Sequence, residues 1–277
     1  MSEYVRRRAA PVLRGLVSGY SGYRWSGAPG LHHGLPSTHL TLVICLSGTL
    51  DFVGRPSSVS VAGGLHDDPV VMSHDGRQHG LQLDVTWRGA RALLGLPAGE
   101  LASDVVDLTD LLGDRASELA ERLAAAPTWR HRFWLLDTTL SGLVDDSRGE
   151  PPVEVVQAWR RLTETSGNLR IDGLARELGW SRRHLNSRFQ REIGLPPKVA
   201  ARVIRFERAR RLLRSPHRPS LAETAVTCGY VDQAHLARDF RALGGLTATQ
   251  WRAEFPSVQD VDAALGDDGP HDAEQRH

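Results

Sequence analysis

Cysteine is scarce. Cys45 and Cys228 stand far apart in apolar contexts and form no CxxC pair. That excludes a disulfide framework and reads as two buried free thiols in a reducing compartment. Long hydrophobic runs are lacking too: the most apolar stretch, Leu40 to Leu46, has the length of a strand and falls well short of a membrane span. At the N-terminus, Arg6-Arg7-Arg8 is followed by Pro11 and Arg14, which leaves no apolar core for a signal peptide. The expectation is a cytoplasmic protein with no membrane partner. Lysine is nearly missing, Lys198 being the single example, so the positive charge is arginine.

That charge is unevenly placed. Of 34 basic and 33 acidic residues, 19 and 10 fall between Pro151 and Pro256, leaving 15 and 23 elsewhere. One part of the chain is therefore suited to a polyanion and the rest is not. Arginine suits phosphate and guanine recognition, although codon bias would give the same excess.

Two periodicities divide the 277 residues. Leu40–Leu46, Thr49–Val53, Ser57–Val61, Pro69–Ser73 and Gly80–Thr86 are short apolar runs separated by turn residues, the spacing of an antiparallel sandwich or small barrel. The period then becomes helical. Asp114 to Ala125 sets Leu119 and Leu123 on one face, and Trp129, Phe133, Leu136, Leu140 and Leu143 form a second stripe. That stripe fits either packing on the barrel or a dimer interface. The resulting expectation is an α+β chain: an effector-sensing and dimerisation domain over 1–145, a polar linker over 146–152, an all-α domain over 153–256 and a disordered acidic tail over 257–277.

The all-α segment contains a duplication. Ala175, Gly179-Trp180-Ser181, His184-Leu185, Phe189 and Gly194-Leu195 recur as Ala225, Gly229-Tyr230, Asp232, His235-Leu236, Phe240 and Gly245-Leu246. Before the turn the two copies are offset by 50 positions and after it by 51, so the second turn holds one extra residue. Each copy reads as a helix-turn-helix. Leu174 and Leu178, or Leu221 and Ala225, are buried by a first helix. Gly179 or Gly229 takes the tight turn. Ser181 and Asp232 are N-caps, and Ser220 with Glu223 has the spacing of a capping box. Leu185, Phe189 and Ile193 line the inner face of one second helix; Leu236, Phe240 and Leu243 line the other. Between them, Pro197 opens a connector that presents Val199, Val203, Phe206, Ala209 and Leu213 on one face, with Arg202, Arg205, Arg208 and Arg211 elsewhere. A rod of about 17 residues spans about 25 Å, enough to hold two helices about one DNA turn apart.

On these residues, together with Arg238-Asp239-Phe240, Thr247 and Trp251-Arg252, the segment Val153 to Glu254 resembles the DNA-binding domain of the AraC/XylS family of bacterial regulators. It departs from the family pattern at Ala248 (usually Pro), Trp251 (usually Tyr) and Leu236 (often Phe), all core or helix-start positions. The resemblance implies a sequence-specific transcription regulator and not an enzyme. It places two recognition helices in adjacent major grooves of double-stranded DNA, with RNA polymerase as a partner if the protein activates. It also implies the groove-facing side chains: Arg182, Arg183, Asn186 and Ser187 on the first helix, and Gln233, Ala234, Ala237 and Arg238 on the second. Arg suits guanine and Asn or Gln suits adenine, whereas Arg188 and Arg191 suit phosphate or solvent. The second helix has two polar readers, Gln233 and Arg238, and is expected to discriminate bases less sharply.

The strand-rich front looks like the cupin-like sensing fold of such regulators, a small effector and a second copy being the expected partners. Its histidines are His32, His33, His39, His66, His74 and His79. No HxH occurs, and no Glu lies between Glu3 and Glu100, so the metal-binding cupin pattern is missing and neither metal nor cofactor is expected. Trp25, His39, Trp87 and the strand interior are the expected pocket. Two other readings remain open: a cupin-type metalloenzyme fused to a DNA reader, and a regulator controlled by a partner protein or by abundance.

Overall fold

Nine strands build the first half of the computed structural model, which describes residues 3–52, 55–217 and 219–253. They are β1 (Glu3–Arg7), β2 (Val17–Ser26), β3 (Gly30–Gly34), β4 (Leu40–Ser47), β5 (Asp51–Phe52), β6 (Ser60–Gly63), β7 (Val70–His74), β8 (Arg77–Val85) and β9 (Val105–Asp107). Antiparallel pairing gives a six-stranded sheet in the order β1-β2-β8-β4-β6-β9 and a three-stranded sheet in the order β3-β7-β5. All five apolar runs of the sequence contain a strand, although β6 starts three residues later than its run. Val53 lies outside the described residues. The periodicity missed β1, β2, β3 and β9. In β2 the sequence VSGYSGYRWS hides the alternation, because Gly and Ser occupy positions where a strand ordinarily shows β-branched residues.

Alternation gives the large sheet two different faces. On one, Tyr20, Leu40, Leu42, Ile44, Leu81 and Leu83 are buried. A helical layer covers it: α1 (Trp87–Gly89) with the π turn Ala90–Leu94 that continues it, α2 (Leu108–Leu112), α3 (Asp114–Ala125) and α4 (Trp129–Leu143). Phe133 of α4 lies over Tyr20, ring centroids 6.0 Å apart. Phe133, Leu136, Leu140 and Leu143 are buried within the chain, so this stripe is core. Buried beside it, Asp137 accepts hydrogen bonds from the Tyr20 hydroxyl (3.0 Å) and the Ala10 N–H (2.8 Å) and pairs with Arg7 at 3.3 Å.

The second half is helical: α5 (Val153–Glu164), α6 (Ile171–Glu177), α7 (Arg182–Ile193), α8 (Pro197–Arg214), α9 (Leu221–Thr227), α10 (Gln233–Gly244) and α11 (Ala248–Ala253). One hydrophobic cluster runs without a break from Leu13 to Trp251, so the two halves share a core. Among the described residues no helix is long and apolar enough to cross a membrane. The segment 257–277, expected as a tail, lies outside the described residues.

Asp137 links the N-terminal segment, β2 and α4. Asp137→Ala strands the Tyr20 hydroxyl and the Ala10 N–H, and should lower stability by about 3 kcal/mol. Equilibrium urea unfolding measures this; an unchanged midpoint would show that the network contributes nothing.

Candidate nucleic-acid interface

The duplicated units fold alike because their local chemistry is alike. In the first, Leu174 and Ala175 of α6 are buried, and Gly179 turns the chain in the left-handed region at φ +68°. Ser181 then caps α7, its hydroxyl accepting the His184 N–H at 3.2 Å. Leu185, Phe189 and Ile193 are fully buried. In the second, Ser220 and Glu223 form the reciprocal capping box at the start of α9. Gly229 turns at φ +76°. Asp232 caps α10 by accepting the His235 N–H at 2.7 Å, and Leu236, Phe240 and Leu243 are buried. In each unit the aromatic residue after the turn glycine meets the recognition-helix histidine edge-on: Trp180 with His184 at 4.6 Å and Tyr230 with His235 at 5.1 Å.

The connecting helix α8 differs from its sequence reading. Its apolar residues are not confined to one face: Ala200, Ala201, Val203, Ile204, Phe206, Ala209 and Leu213 are all buried. Its 18 residues make a rod of about 27 Å. Several of its arginines are held inside the protein. Arg202 Nε donates to Asp239 at 2.7 Å, and Arg205 donates to the Gly167 carbonyl at 2.9 Å and lies over the Tyr230 ring. Arg210 lies over Phe206 and Arg214 over Trp251.

On α7, Arg182, Arg183 and Ser187 are exposed and Asn186 is half-buried. Arg182 pairs with Asp172 of α6 at 3.3 Å, a partner the sequence reading did not foresee. On α10, Gln233, Ala234 and Arg238 are exposed and Ala237 is half-buried. Arg238 Nε donates to the Ala234 carbonyl of its own helix at 3.3 Å. Each helix thus keeps a polar, solvated side opposite the buried Leu–Phe row.

The first half grips this domain through contacts with no sequence signal. Arg91 pairs with Glu192 of α7 at 2.7 Å. Trp87 packs edge-on against Trp159, which meets Phe189. Gly99 sits so close to α7 that a Cβ there would lie 2.2 Å from the Arg191 carbonyl oxygen. Glu207 of α8 accepts the Thr38 N–H at 3.0 Å. Burial works to raise the Glu207 carboxyl, but His39, Arg210, Arg211 and that N–H outweigh it and hold it below the ordinary glutamate range.

Between the two sheets lies a cavity of about 490 Å³. Tyr23, Val43, Cys45 and Gln82 line it from the large sheet, His32 and Met72 from the small one. His66 and His74 also border it. Burial lowers the His66 pKa, against the opposing pull of Asp67 and Asp68. Burial and then Asp51 push the Cys45 thiol up to about 11, which keeps it protonated. Three residues expected in the pocket do not line it. Trp87 belongs to the contact between the halves, Trp25 packs on His74, and His39 bonds the Ser18 hydroxyl at 2.7 Å. Among the described residues no group of three or more His, Cys, Asp or Glu is placed to hold a metal ion.

Residues 174–254 match the family model of a helix-turn-helix domain. No curated protein matches the chain. Among solved structures, ToxT from Vibrio cholerae is similar over 91% of this chain and 97% of its own, at 11% identity and a TM-score of 0.51. ToxT from strain SCE256 with a bound unsaturated fatty acid is similar over 84% and 94%, at 13% identity and a TM-score of 0.50. These likenesses describe the fold. The xylose-binding transcription activator XylR is 25% identical over 40% of this chain, with a TM-score of 0.34, and the match spans 29% of that activator's length.

Two glycines separate backbone strain from close packing. Nothing lies near a Cβ built on Gly179, so Gly179→Ala costs only the left-handed backbone, about 1 kcal/mol. Gly99→Ala pushes against main chain of α7 and should cost about 2 kcal/mol or more. Urea unfolding followed by tryptophan fluorescence compares them; a neutral Gly99→Ala would refute the close contact between the halves.

Proposed function

We propose that the chain is a DNA-binding transcription regulator of the AraC type, a reading supported by the helix-turn-helix match over residues 174–254, and that α7 and α10 enter successive major grooves on one face of the duplex. The observation that carries this reading is the pair of capped helices whose buried rows are satisfied inside the protein and whose solvated sides hold Arg183, Asn186, Gln233 and Arg238. Arg183 and Arg238 are suited to guanine O6 and N7, Asn186 and Gln233 to adenine N6 and N7. Arg182 and Ser187 complete the first reader, and Ala234 and Ala237 the second. Arg188 and Arg191 serve phosphate. The α8 rod sets the distance between the readers.

The cavity between the sheets is the proposed effector site. Its size is that of a small-molecule pocket, and its walls combine apolar side chains with Tyr23, Gln82 and the histidines. ToxT was captured with an unsaturated fatty acid and with a methylnaphthyl butenoic acid, both small amphipathic molecules. The cavity's borders lead directly to the reader. Gly34 lines it, and the next residue, Leu35, reaches Gly244 of α10; Val70 lines it, and Pro69 reaches Gly245. An occupant that favours one arrangement of these loops thereby favours one arrangement of the two readers. The proposal extends to a cytoplasmic protein that acts as a homodimer and meets RNA polymerase where it activates.

Selection of bound DNA from a random library should return a motif in two parts about one helical turn apart. Arg183→Ala should weaken one part and Arg238→Ala the other, each by about tenfold or more. Base-by-base substitution should give smaller penalties in the part read by α10. Equal penalties in both parts would refute the asymmetry, and no enriched motif at low salt, with or without a metabolite extract, would refute the reading of both helices.

A further inference from the structure

We infer that Val231 reads the 5-methyl group of a thymine at the edge of the second half-site, an inference that rests on the reading of α10 as a DNA-recognition helix. The repeat singles this residue out. Gly179-Trp180-Ser181 in the first unit corresponds to Gly229-Tyr230-Val231-Asp232 in the second, so Val231 is the one residue with no counterpart. The insertion leaves the fold around it intact. Tyr230 still meets His235 edge-on as Trp180 meets His184, both at 89°, and Asp232 still caps the helix as Ser181 does. The extra residue is therefore extruded from the turn.

Val231 is 85% exposed, more than any other large apolar side chain among the described residues. Nothing in the turn requires it: such positions favour Gly, Asn, Asp or Ser, and a β-branched residue contributes nothing to a tight turn. It adjoins the first turn of α10, next to exposed Gln233 and Ala234, with half-buried Ala237 one turn on. Val231 before the cap and Ala234 and Ala237 on the helix add apolar side chains to the segment that carries Gln233 and Arg238. The surrounding domain carries 19 basic against 10 acidic residues, which matches a polyanion. Within the major groove of such a partner, the apolar feature is the thymine methyl. An exposed valine beside polar readers in a basic domain fits that partner. It also agrees with the weaker hydrogen-bond discrimination expected of α10, because methyl contact distinguishes thymine by shape and burial alone.

The test uses the full chain and the site obtained by selection. Each thymine in the α10 half-site is replaced in turn by deoxyuridine, which removes only the methyl, and affinity is read by fluorescence anisotropy. In the wild type, one replacement should weaken binding about fourfold, the value of one buried methyl group. In Val231→Ser the unmodified site should bind about fourfold more weakly, and the same deoxyuridine should then have no effect, the signature of a direct pair in a double-mutant cycle. Matched melting curves confirm that this exposed substitution leaves the fold unchanged. A half-site without thymine, wild-type indifference to every methyl, or undiminished sensitivity in Val231→Ser would each overturn the inference while leaving binding to the unmodified site in place. Failure of the wild type to bind any selected site overturns the reading of α10 itself.

Discussion

Burial of α8 is the constraint on which the rest of the molecule depends. It packs against α5 and α7 on one side and α9 and α10 on another, and Phe206 meets Phe240 at 5.0 Å. A third side faces the first half through Glu207 and the Thr38 N–H. Four of its six arginines are settled in the domain: Arg202 on Asp239, Arg205 on the Gly167 carbonyl and the Tyr230 ring, Arg210 over Phe206 and Arg214 over Trp251. The cost of leaving a buried charge unpaired makes these contacts obligatory. The consequence is functional. With four of its arginines engaged in this way, the exposed arginines of α7 and α10 remain available to the proposed DNA partner.

What the sequence revealed follows from the range of the interactions involved. Caps, turn glycines and Leu–Phe rows are set by residues within about one turn of each other, so both helix-turn-helix units and the capping box at Ser220 were legible. The apolar faces of α3 and α4 were legible for the same reason. Strand β2 was not, because Ser18-Gly19 and Ser21-Gly22 put small residues on both faces of the strand, and the close fit at Gly22 is set by Trp129 rather than by local hydrophobicity. The strand interior expected to line the cavity does so, but Trp25, His39 and Trp87 do not, because its walls come from two sheets and no local pattern states which strands will face each other. The contacts Arg91–Glu192 and Gly99–Arg191 join residues about a hundred and about ninety positions apart and leave no periodic trace. Arg182 shows a smaller case: its place on α7 was readable, its pairing with Asp172 was not.

The arrangement of the cavity bears on how a sensing half would act on a reading half. The shared core excludes a loose tether between two independent units, because Trp87, Trp159 and Phe189 pack in sequence across the boundary. Coupling then needs no long pathway. His66 borders the cavity and lies within the electrostatic reach of Arg210 on α8. Leu35 and Pro69 each follow or precede a lining residue and each approach the C-terminal end of α10. A ligand with different contacts in two loop arrangements shifts their populations by that difference and by no more.

The two readers are not equivalent, and the difference is built into the turn. A strict duplication would give both helices the same approach to the duplex and the same kind of readout. One inserted residue leaves the cap, the aromatic–histidine contact and the buried row of α10 as they are in α7, yet adds an apolar side chain at the edge of the reading surface. The polar set of α7, with Arg182, Arg183, Asn186 and Ser187, is matched on α10 by Gln233, Arg238 and two alanines. Hydrogen bonds specify a base by donors and acceptors; methyl contact specifies it by the water displaced. If both modes operate as proposed, the half-site under α7 is held to a strict sequence and the one under α10 varies wherever a methyl is kept.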